Sequence, residues 1–80
     1  PEIPRALLQN PVGLIDLATE HTGIFPSKGE ARKAIQNNAV SLNKYKVNQI
    51  DKTISESDLL HGRYLLIENG KKNKYLVRAQ

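Results

Sequence analysis

The sequence predicts an α+β domain in which a helix-turn-helix-like pair of helices packs on a small, mainly antiparallel β-sheet that ends in a β-hairpin. Apolar residues first recur at three- and four-residue spacing, which is typical of amphipathic helices, and later alternate with polar ones, which is typical of strands. A chain of 80 residues suffices for one domain with a small core. We therefore expect a single domain over residues 12–80, preceded by residues 1–11 as a linker or as a docked N-terminal segment.

Composition restricts the classes of protein to which the chain can belong. It contains no cysteine, which excludes disulfides and thiolate metal ligands. No apolar run approaches the ~20 residues of a membrane-spanning helix, so we expect no membrane association and a cytoplasmic location. Twelve basic against eight acidic residues give a net charge of +4, which favours a polyanionic partner. The chain begins at Pro1 without a methionine, which we interpret as the start of a domain taken from a longer protein.

The first helix is expected over Val12 to Thr22, because the segment before it is rich in helix-disfavouring proline and Gly23 supplies a helix stop. The second helix is expected to begin after Ser27, whose hydroxyl can accept from a free backbone amide while Glu30 reaches back to the amide of Ser27.

On this second helix, Ala31 and Ile35 share an apolar face that should meet the core, whereas basic and polar residues recur at every fourth position. Glu30 lies nearly opposite that polar ridge and cannot neutralise it, so we expect the ridge to be available to a partner. The other interpretation is an ordinary solvated helix face. The residues of the ridge are Lys28, Arg32 and Gln36.

Val40 and Leu42 alternate with polar residues and predict a strand that turns back at Lys46. The turn residues Asn43-Lys44-Tyr45 lack the glycine that suits a tight hairpin turn, so we expect a longer or more strained connection.

Further along, Ser55 and Asp58 form a capping pattern for a short helix that carries Leu59 and Leu60 and ends at Gly62.

A strand over Arg63 to Glu68 has apolar side chains on both faces, so we expect it to be central and covered on both sides. A turn from Asn69 to Asn73 carries Lys71 and Lys72, and a final strand pairs back on the central one.

The sequence offers no set of catalytic or metal-binding residues. His21 and His61 are far apart and have no cysteine or tight carboxylate cluster beside them, so no metal site is expected. A phosphate-cradling glycine loop is absent, and no serine has a histidine within local reach. We expect that this chain is not catalytic and binds no cofactor.

The order of motifs resembles a known family. Ser-Lys-Gly-Glu-Ala-Arg at residues 27–32, then Ala-Val-Ser-Leu-Asn and Lys-Val, is similar to the small RNA-binding domain named after ribosomal small-subunit protein four. The strand pair from Arg63 to Arg78, with its Gly-Lys-Lys turn, looks like the version at the C-terminus of bacterial tyrosyl-tRNA synthetases.

The resemblance implies a surface and a partner. In that family the start and ridge of the second helix, together with the following strand and its turn, face RNA, which transfers this role to Ser27, Lys28, Arg32 and Asn43. Apart from the resemblance, we expect the basic residues of the second helix, the hairpin and the closing turn to converge on one side of the domain; the other interpretation is a set of scattered, solvated charges. Tyr45 can either stack on a base or pack within the turn. The predicted RNA-binding residues are Ser27, Lys28, Arg32, Lys33, Gln36, Asn43, Lys44, Lys46, Lys71 and Lys72.

The resemblance implies that this chain is an appended domain, which binds the tRNA specific for tyrosine near the anticodon stem and the long variable arm of that tRNA. A separate domain of an ATP-dependent, homodimeric ligase would carry out aminoacylation, and the isolated domain would be a monomer. Three alternatives stay open: an RNA-binding domain of a ribosome-associated factor or pseudouridine synthase, a helix-turn-helix DNA-binding module that enters the major groove, and a protein-interaction module.

Overall fold

A five-stranded sheet organises the computed structural model, which describes residues 1–80 throughout. Its strand order is β1-β7-β6-β3-β4, and all neighbours are antiparallel except β1 and β7. Strands β2 and β5 form a separate antiparallel pair. The strands are β1 (Glu2–Ile3), β2 (Val12–Gly13), β3 (Val40–Leu42), β4 (Tyr45–Lys46), β5 (Thr53–Ile54), β6 (Tyr64–Asn69) and β7 (Asn73–Ala79). The predicted α+β class and the closing hairpin, β6–β7, are confirmed.

The first helix, α1, begins at Leu14–Asp16 and continues as a π-helical turn over Leu17–His21. The predicted start at Val12 is wrong, because Val12 and Gly13 pair with β5 and are therefore extended. Gly23, with φ 67°, lies just past the helix end, as its predicted role as a stop requires.

The second helix, α2 (Lys28–Gln36), has the predicted N-cap, since the backbone N–H of Glu30 donates to Ser27 Oγ over 3.1 Å. The predicted reciprocal hydrogen bond, in which the Ser27 amide would donate to the Glu30 carboxylate, is not formed. Ala31 and Ile35 are buried, which confirms the core-facing stripe. The helix is followed by Asn38 in the left-handed region, with φ 61°.

One face of the sheet packs against both helices, and every fully buried residue is apolar. The sheet contributes alternate residues of β3, β6 and β7 to this core, as the two-residue period of a strand requires. Phe25 closes the corner between α1 and α2 and is buried. The core residues from the helices and this sheet are Leu14, Leu17, Ala18, Ala31, Ile35, Val40, Leu42, Leu65, Ile67, Val77, Ala79 and Ile3.

Strand β6 is central, as predicted, but it is not covered equally on both faces. Leu65 and Ile67 are fully buried toward the helices, whereas Tyr64 and Leu66 on the opposite face are only half-buried. Leu76, which is the cross-strand partner of Leu66, is 54% exposed. The outer face of the sheet is therefore a partly solvated surface.

The predicted short helix before β6 is a 3₁₀ turn over Glu56–Asp58, and it ends before Leu59 and Leu60 instead of carrying them. Its capping pattern is formed, since the Ser55 amide donates to Asp58 Oδ2 over 2.9 Å.

Residues 1–11 pack on the same domain in the structure. Strand β1 pairs with β7, and a 3₁₀ turn follows at Arg5–Leu8. Ile3 and Leu8 are each only 1% exposed and belong to the core. None of the helices combines the length and hydropathy that a membrane-crossing segment needs.

Candidate nucleic-acid interface

The start of α2 carries two of the predicted RNA-binding residues, and both already have partners within the domain. The Ser27 hydroxyl accepts the capping bond from Glu30. Lys28 Nζ lies 2.8 Å from Glu20 Oε1 and 3.2 Å from Asp16 Oδ1, two carboxylates on α1. Hydrogen bonds to Glu20 and then Asp16 raise the pKa of Lys28 above its usual 10.5. The prediction that the ridge has no neutralising partner is therefore wrong at Lys28, because α1 supplies the acids that α2 lacks.

The remainder of α2 leaves its polar residues free. Arg32, Lys33 and Gln36 are exposed, and no ion pair or side-chain hydrogen bond involves them. Arg32 and Gln36 lie four residues apart, which places their backbones about 6 Å apart along the helix axis. This part of the ridge can meet a partner without breaking an existing contact.

The β3–β4 hairpin turns through only two residues, Asn43 and Lys44, with φ 51° and 76°. Two consecutive positive φ values are the geometry of a tight hairpin turn that matches the strand twist. The expectation of a longer connection is wrong. The expected strain is present at Lys44, which adopts a conformation that glycine occupies more easily.

Asn43 uses both ends of its side-chain amide inside the domain. Its Nδ2 donates to the backbone oxygen of Asp58 over 2.6 Å, and its Oδ1 accepts from the backbone N–H of Leu66 over 2.9 Å. Asn43, one of the predicted RNA contacts, thus joins the hairpin to β6 and to the 3₁₀ turn through its side chain.

One row of side chains crosses the outer face of the sheet, and with Lys44 of the adjoining turn it brings three lysines to the same surface as Glu68. We call Lys44, Lys46 and Lys74 the lysine row. The register aligns Lys46, Ser41, Glu68 and Lys74 across four neighbouring strands. At about 4.8 Å per strand, this row spans about 14 Å. Glu68 Oε2 lies 3.5 Å from Lys44 Nζ and 3.9 Å from Lys74 Nζ, and the Glu68 side chain is only 12% exposed. The surface of this row is therefore positive, and Lys46 has no carboxylate partner.

The turn between β6 and β7 holds Lys71 and Lys72, which are exposed and free of ion pairs. Gly70, with φ 75°, permits the turn, and its N–H donates to the backbone oxygen of Ala39 over 2.8 Å. Because Ala39 lies between α2 and β3, this bond brings the lysine turn to the C-terminal end of α2.

A cleft of ≈ 570 Å³, which was not predicted from the sequence, lies between the hairpin and the segment of residues 48–60. Its floor is apolar, from Leu42, Val47 and Leu59, and its rim carries Lys46 and amide side chains. Tyr45 lies at this rim and is 79% exposed, so its ring is presented to solvent rather than packed within the turn. No sequence pattern marks the cleft, because the segment that closes it has no regular periodicity.

The exposed side chains of the interface are of the kinds that bind nucleic acid. No three His, Cys, Asp or Glu side chains come together as a metal-ligand set. The exposed groups of the interface are cations, amides and one phenol ring, which are suited to phosphate, ribose and base contacts.

Comparison with known proteins identifies the family of this chain. Residues 1–77 match the family described as Tyrosine--tRNA ligase SYY-like C-terminal domain. The chain is 47% identical over 75 residues to the tyrosine–tRNA ligase of Porphyromonas gingivalis, which covers 94% of this chain and 17% of that protein. It is 46% identical over 79 residues to the ligase of Bacteroides thetaiotaomicron, which covers 99% of this chain and 18% of that protein.

A more distant relative, the tyrosine–tRNA ligase of Flavobacterium johnsoniae, is 36% identical over 78 residues, with 98% of this chain and 18% of that protein covered. The chain thus spans less than a fifth of the length of these relatives. The family match over residues 1–77 and these relatives show that the chain belongs to the tyrosine–tRNA ligase SYY-like C-terminal domain family.

Proposed function

We propose that this chain is the appended tRNA-binding domain of a tyrosine–tRNA ligase. It would hold tyrosine tRNA near the anticodon stem and the long variable arm, while a catalytic domain outside this chain activates tyrosine with ATP. Membership of the C-terminal domain family and the tyrosine–tRNA ligase names of the relatives support this role. Binding to tRNA would place the protein in the cytoplasm.

The observation that carries the proposal is the supply of unpaired cations on the predicted surface. Among the predicted basic contacts, Lys28 and Lys44 have carboxylate partners. The others are exposed and unpaired, and they come from α2, the hairpin and the closing turn. Phosphate oxygens are the natural partners of such charges, because RNA presents them at regular spacing. The unpaired predicted contacts are Arg32, Lys33, Lys46, Lys71 and Lys72.

The paired residues have a different role in this proposal. Ser27 and Asn43 fix the start of α2 and the hairpin turn, so they position the exposed cations rather than contact RNA. Lys28 joins α1 to α2. A helix-turn-helix DNA reader remains the rival, and in it Arg32 and Gln36 would be the side chains able to pair with base edges.

Replacement of Arg32 by Ala tests the surface, with Lys52→Ala as the matched control. Both changes remove one exposed, unpaired positive charge and spare the core. We expect Arg32→Ala to weaken tRNA binding by about 2- to 5-fold, the range of one exposed charge pair. The slope of log K against log salt should also become shallower by about 0.7–0.9, because the variant neutralises one phosphate fewer. Equal losses from both variants would mean that only net charge matters.

Competition among nucleic acids tests the identity of the partner. At fixed salt, a tRNA with a long variable arm should displace labelled tyrosine tRNA better than one with a short arm, and both should compete better than duplex DNA of equal charge. Preference for duplex DNA would favour the helix-turn-helix rival. Indifference to the variable arm would leave RNA binding but contradict the tyrosine–tRNA ligase role.

The proposal includes an oligomeric state. The parent ligase is proposed to be a homodimer whose contacts lie outside this chain, and the isolated domain is proposed to be a monomer. Light scattering coupled to gel filtration would check the monomer, and a dimer of about 18 kDa, twice the 9.0 kDa chain, would contradict it.

A further inference from the structure

Three arginines meet in a pocket at the edge of the sheet away from the lysine turn. Arg5 comes from the N-terminal 3₁₀ turn, Arg63 from the loop before β6 and Arg78 from β7. They line a pocket of ≈ 450 Å³ together with Glu2, Ala79 and Gln80. None of these arginines is among the predicted RNA-binding residues.

Backbone hydrogen bonds hold the three positions together. The Arg5 N–H donates to the backbone oxygen of Gln80 over 3.2 Å, and the Ala79 N–H donates to the backbone oxygen of Arg63 over 2.8 Å. Arg78 directly precedes Ala79 in β7. The backbones at Arg5 and Arg63 are therefore tied by hydrogen bonds to the end of β7, the strand that carries Arg78.

The charges of the arginines are not balanced within the domain. All ion pairs in the structure use lysines, and none uses an arginine. Glu2 is the one acidic side chain of the pocket, and its Oε1 accepts from Gln80 Nε2 over 2.8 Å. The side chains that line the pocket therefore carry a net charge of +2, from three arginines and one glutamate. A guanidinium group stays protonated and can donate two parallel N–H bonds to two oxygens of one phosphate. A cluster of arginines is therefore suited to binding a phosphate group.

The pocket lies on the same outward face as the lysine row. Lys74 and Arg78 are four residues apart on β7, so their side chains point to the same side of the sheet, about 14 Å apart along the strand. Both are exposed, while the intervening Tyr75 and Val77 face the core side. A single extended polyanion on this face can therefore reach both groups of cations.

We propose that Arg5, Arg63 and Arg78 form a second phosphate-binding site, which takes a phosphodiester of the same RNA that contacts the lysine row. The existence of an anion site follows from the pocket alone, whereas the identity of its ligand rests on the proposed tRNA-binding function. The site extends the RNA contact surface from the hairpin and lysine turn to the β1–β7 edge.

Titration with inorganic phosphate tests the site without any RNA. In NMR spectra of the ¹⁵N-labelled chain, the Nε–H signals of Arg5, Arg63 and Arg78 should shift together as phosphate is added, and the shifts should reach a plateau. The Nε–H signal of Arg32, a single exposed arginine, should show no such plateau. Equal behaviour of all four arginines would overturn the proposal.

Binding of tRNA to Arg78→Gln tests the ligand, and Lys52→Gln is the charge-matched control. We expect Arg78→Gln to weaken binding about 2- to 5-fold more than the control. The salt slope should also become shallower by about 0.7–0.9, since one phosphate is then left without its cation. Arg63→Gln should behave likewise, whereas Arg5 also donates to the backbone oxygen of Ala79 over 3.5 Å and is for that reason not the variant chosen. Melting temperatures check that the variants are folded.

The results of these experiments distinguish failure of the arginine site from failure of the proposed tRNA-binding function. Saturable phosphate binding with tRNA affinity unchanged in both variants would overturn RNA as the ligand. Loss of tRNA binding in Arg32→Ala but not in Arg78→Gln would retain the proposed function and reject the second site. Failure of the unaltered chain to bind any tRNA would reject the proposed function and the RNA ligand together.

Discussion

Replacement of Asn43 by Ala separates a structural role of this residue from an RNA contact. Asn43 joins the hairpin to two distant parts of the chain, because its amide bonds to Asp58, 15 residues away, and to Leu66, 23 residues away. Its backbone also adopts φ 51°, a left-handed conformation that asparagine tolerates better than alanine. The substitution therefore removes two hydrogen bonds and adds backbone strain.

The size of the effect follows from these contacts. Each hydrogen bond contributes about 0.5–1.5 kcal/mol net, and a left-handed alanine costs about 1–2 kcal/mol. We expect the free energy of unfolding to fall by about 2–5 kcal/mol, a large part of the total stability of a domain of this size. At about 4–8 °C per kcal/mol for 60–100 residues, the melting temperature should fall by at least ~8 °C.

Thermal and urea unfolding measure this change, and two further variants isolate its parts. Asn43→Gly removes the same bonds without the left-handed penalty, so it should lose less stability than Asn43→Ala. Asn48→Ala removes an exposed amide that forms no hydrogen bond and should change stability by less than about 0.5 kcal/mol. An Asn43→Ala chain that melts like the unaltered chain but binds tRNA weakly would refute this reasoning and restore Asn43 as an RNA contact.

Two further predictions concern Lys44, whose φ is positive, and Lys28, which pairs with two carboxylates. Lys44→Gly should melt about 4–8 °C above Lys44→Ala, because both variants lose the ion pair to Glu68 and only glycine relieves φ 76°; equal melting temperatures would show that the turn is unstrained. Since the folded pKa of Lys28 is raised above 10.5, its ion pairs should stabilise the fold fully below pH 10.5 and lose that effect as pH rises through the folded pKa. The melting difference between the unaltered chain and Lys28→Met should thus be constant from pH 7 to 9 and shrink only above 10.5; a change between pH 7 and 9 would contradict this assignment.

Sequence patterns predicted those helices and strands that are determined by residues close together in the chain. The cap at Ser27, the stripe of Ala31 and Ile35, and the alternation of Val40 and Leu42 each depend on residues a few positions apart. Those signals placed α2 and the hairpin correctly. The start of α1 was misplaced because Val12 and Gly13 pair with β5, some forty residues later in the chain, and no local pattern reports such pairing.

The sequence by itself determined the order of α1, α2, β3, β4, β6 and β7, the core-facing stripes and the presence of excess positive charge. The tertiary structure alone decided which charges are free. Packing of α1 on α2 brings Asp16 and Glu20 to Lys28, strand register brings Lys44 and Lys74 to Glu68, and the pairing of β1 with β7 assembles the three arginines. The physical reason is that periodicity fixes the face on which a side chain lies within its own element, whereas its partners depend on how separate elements pack.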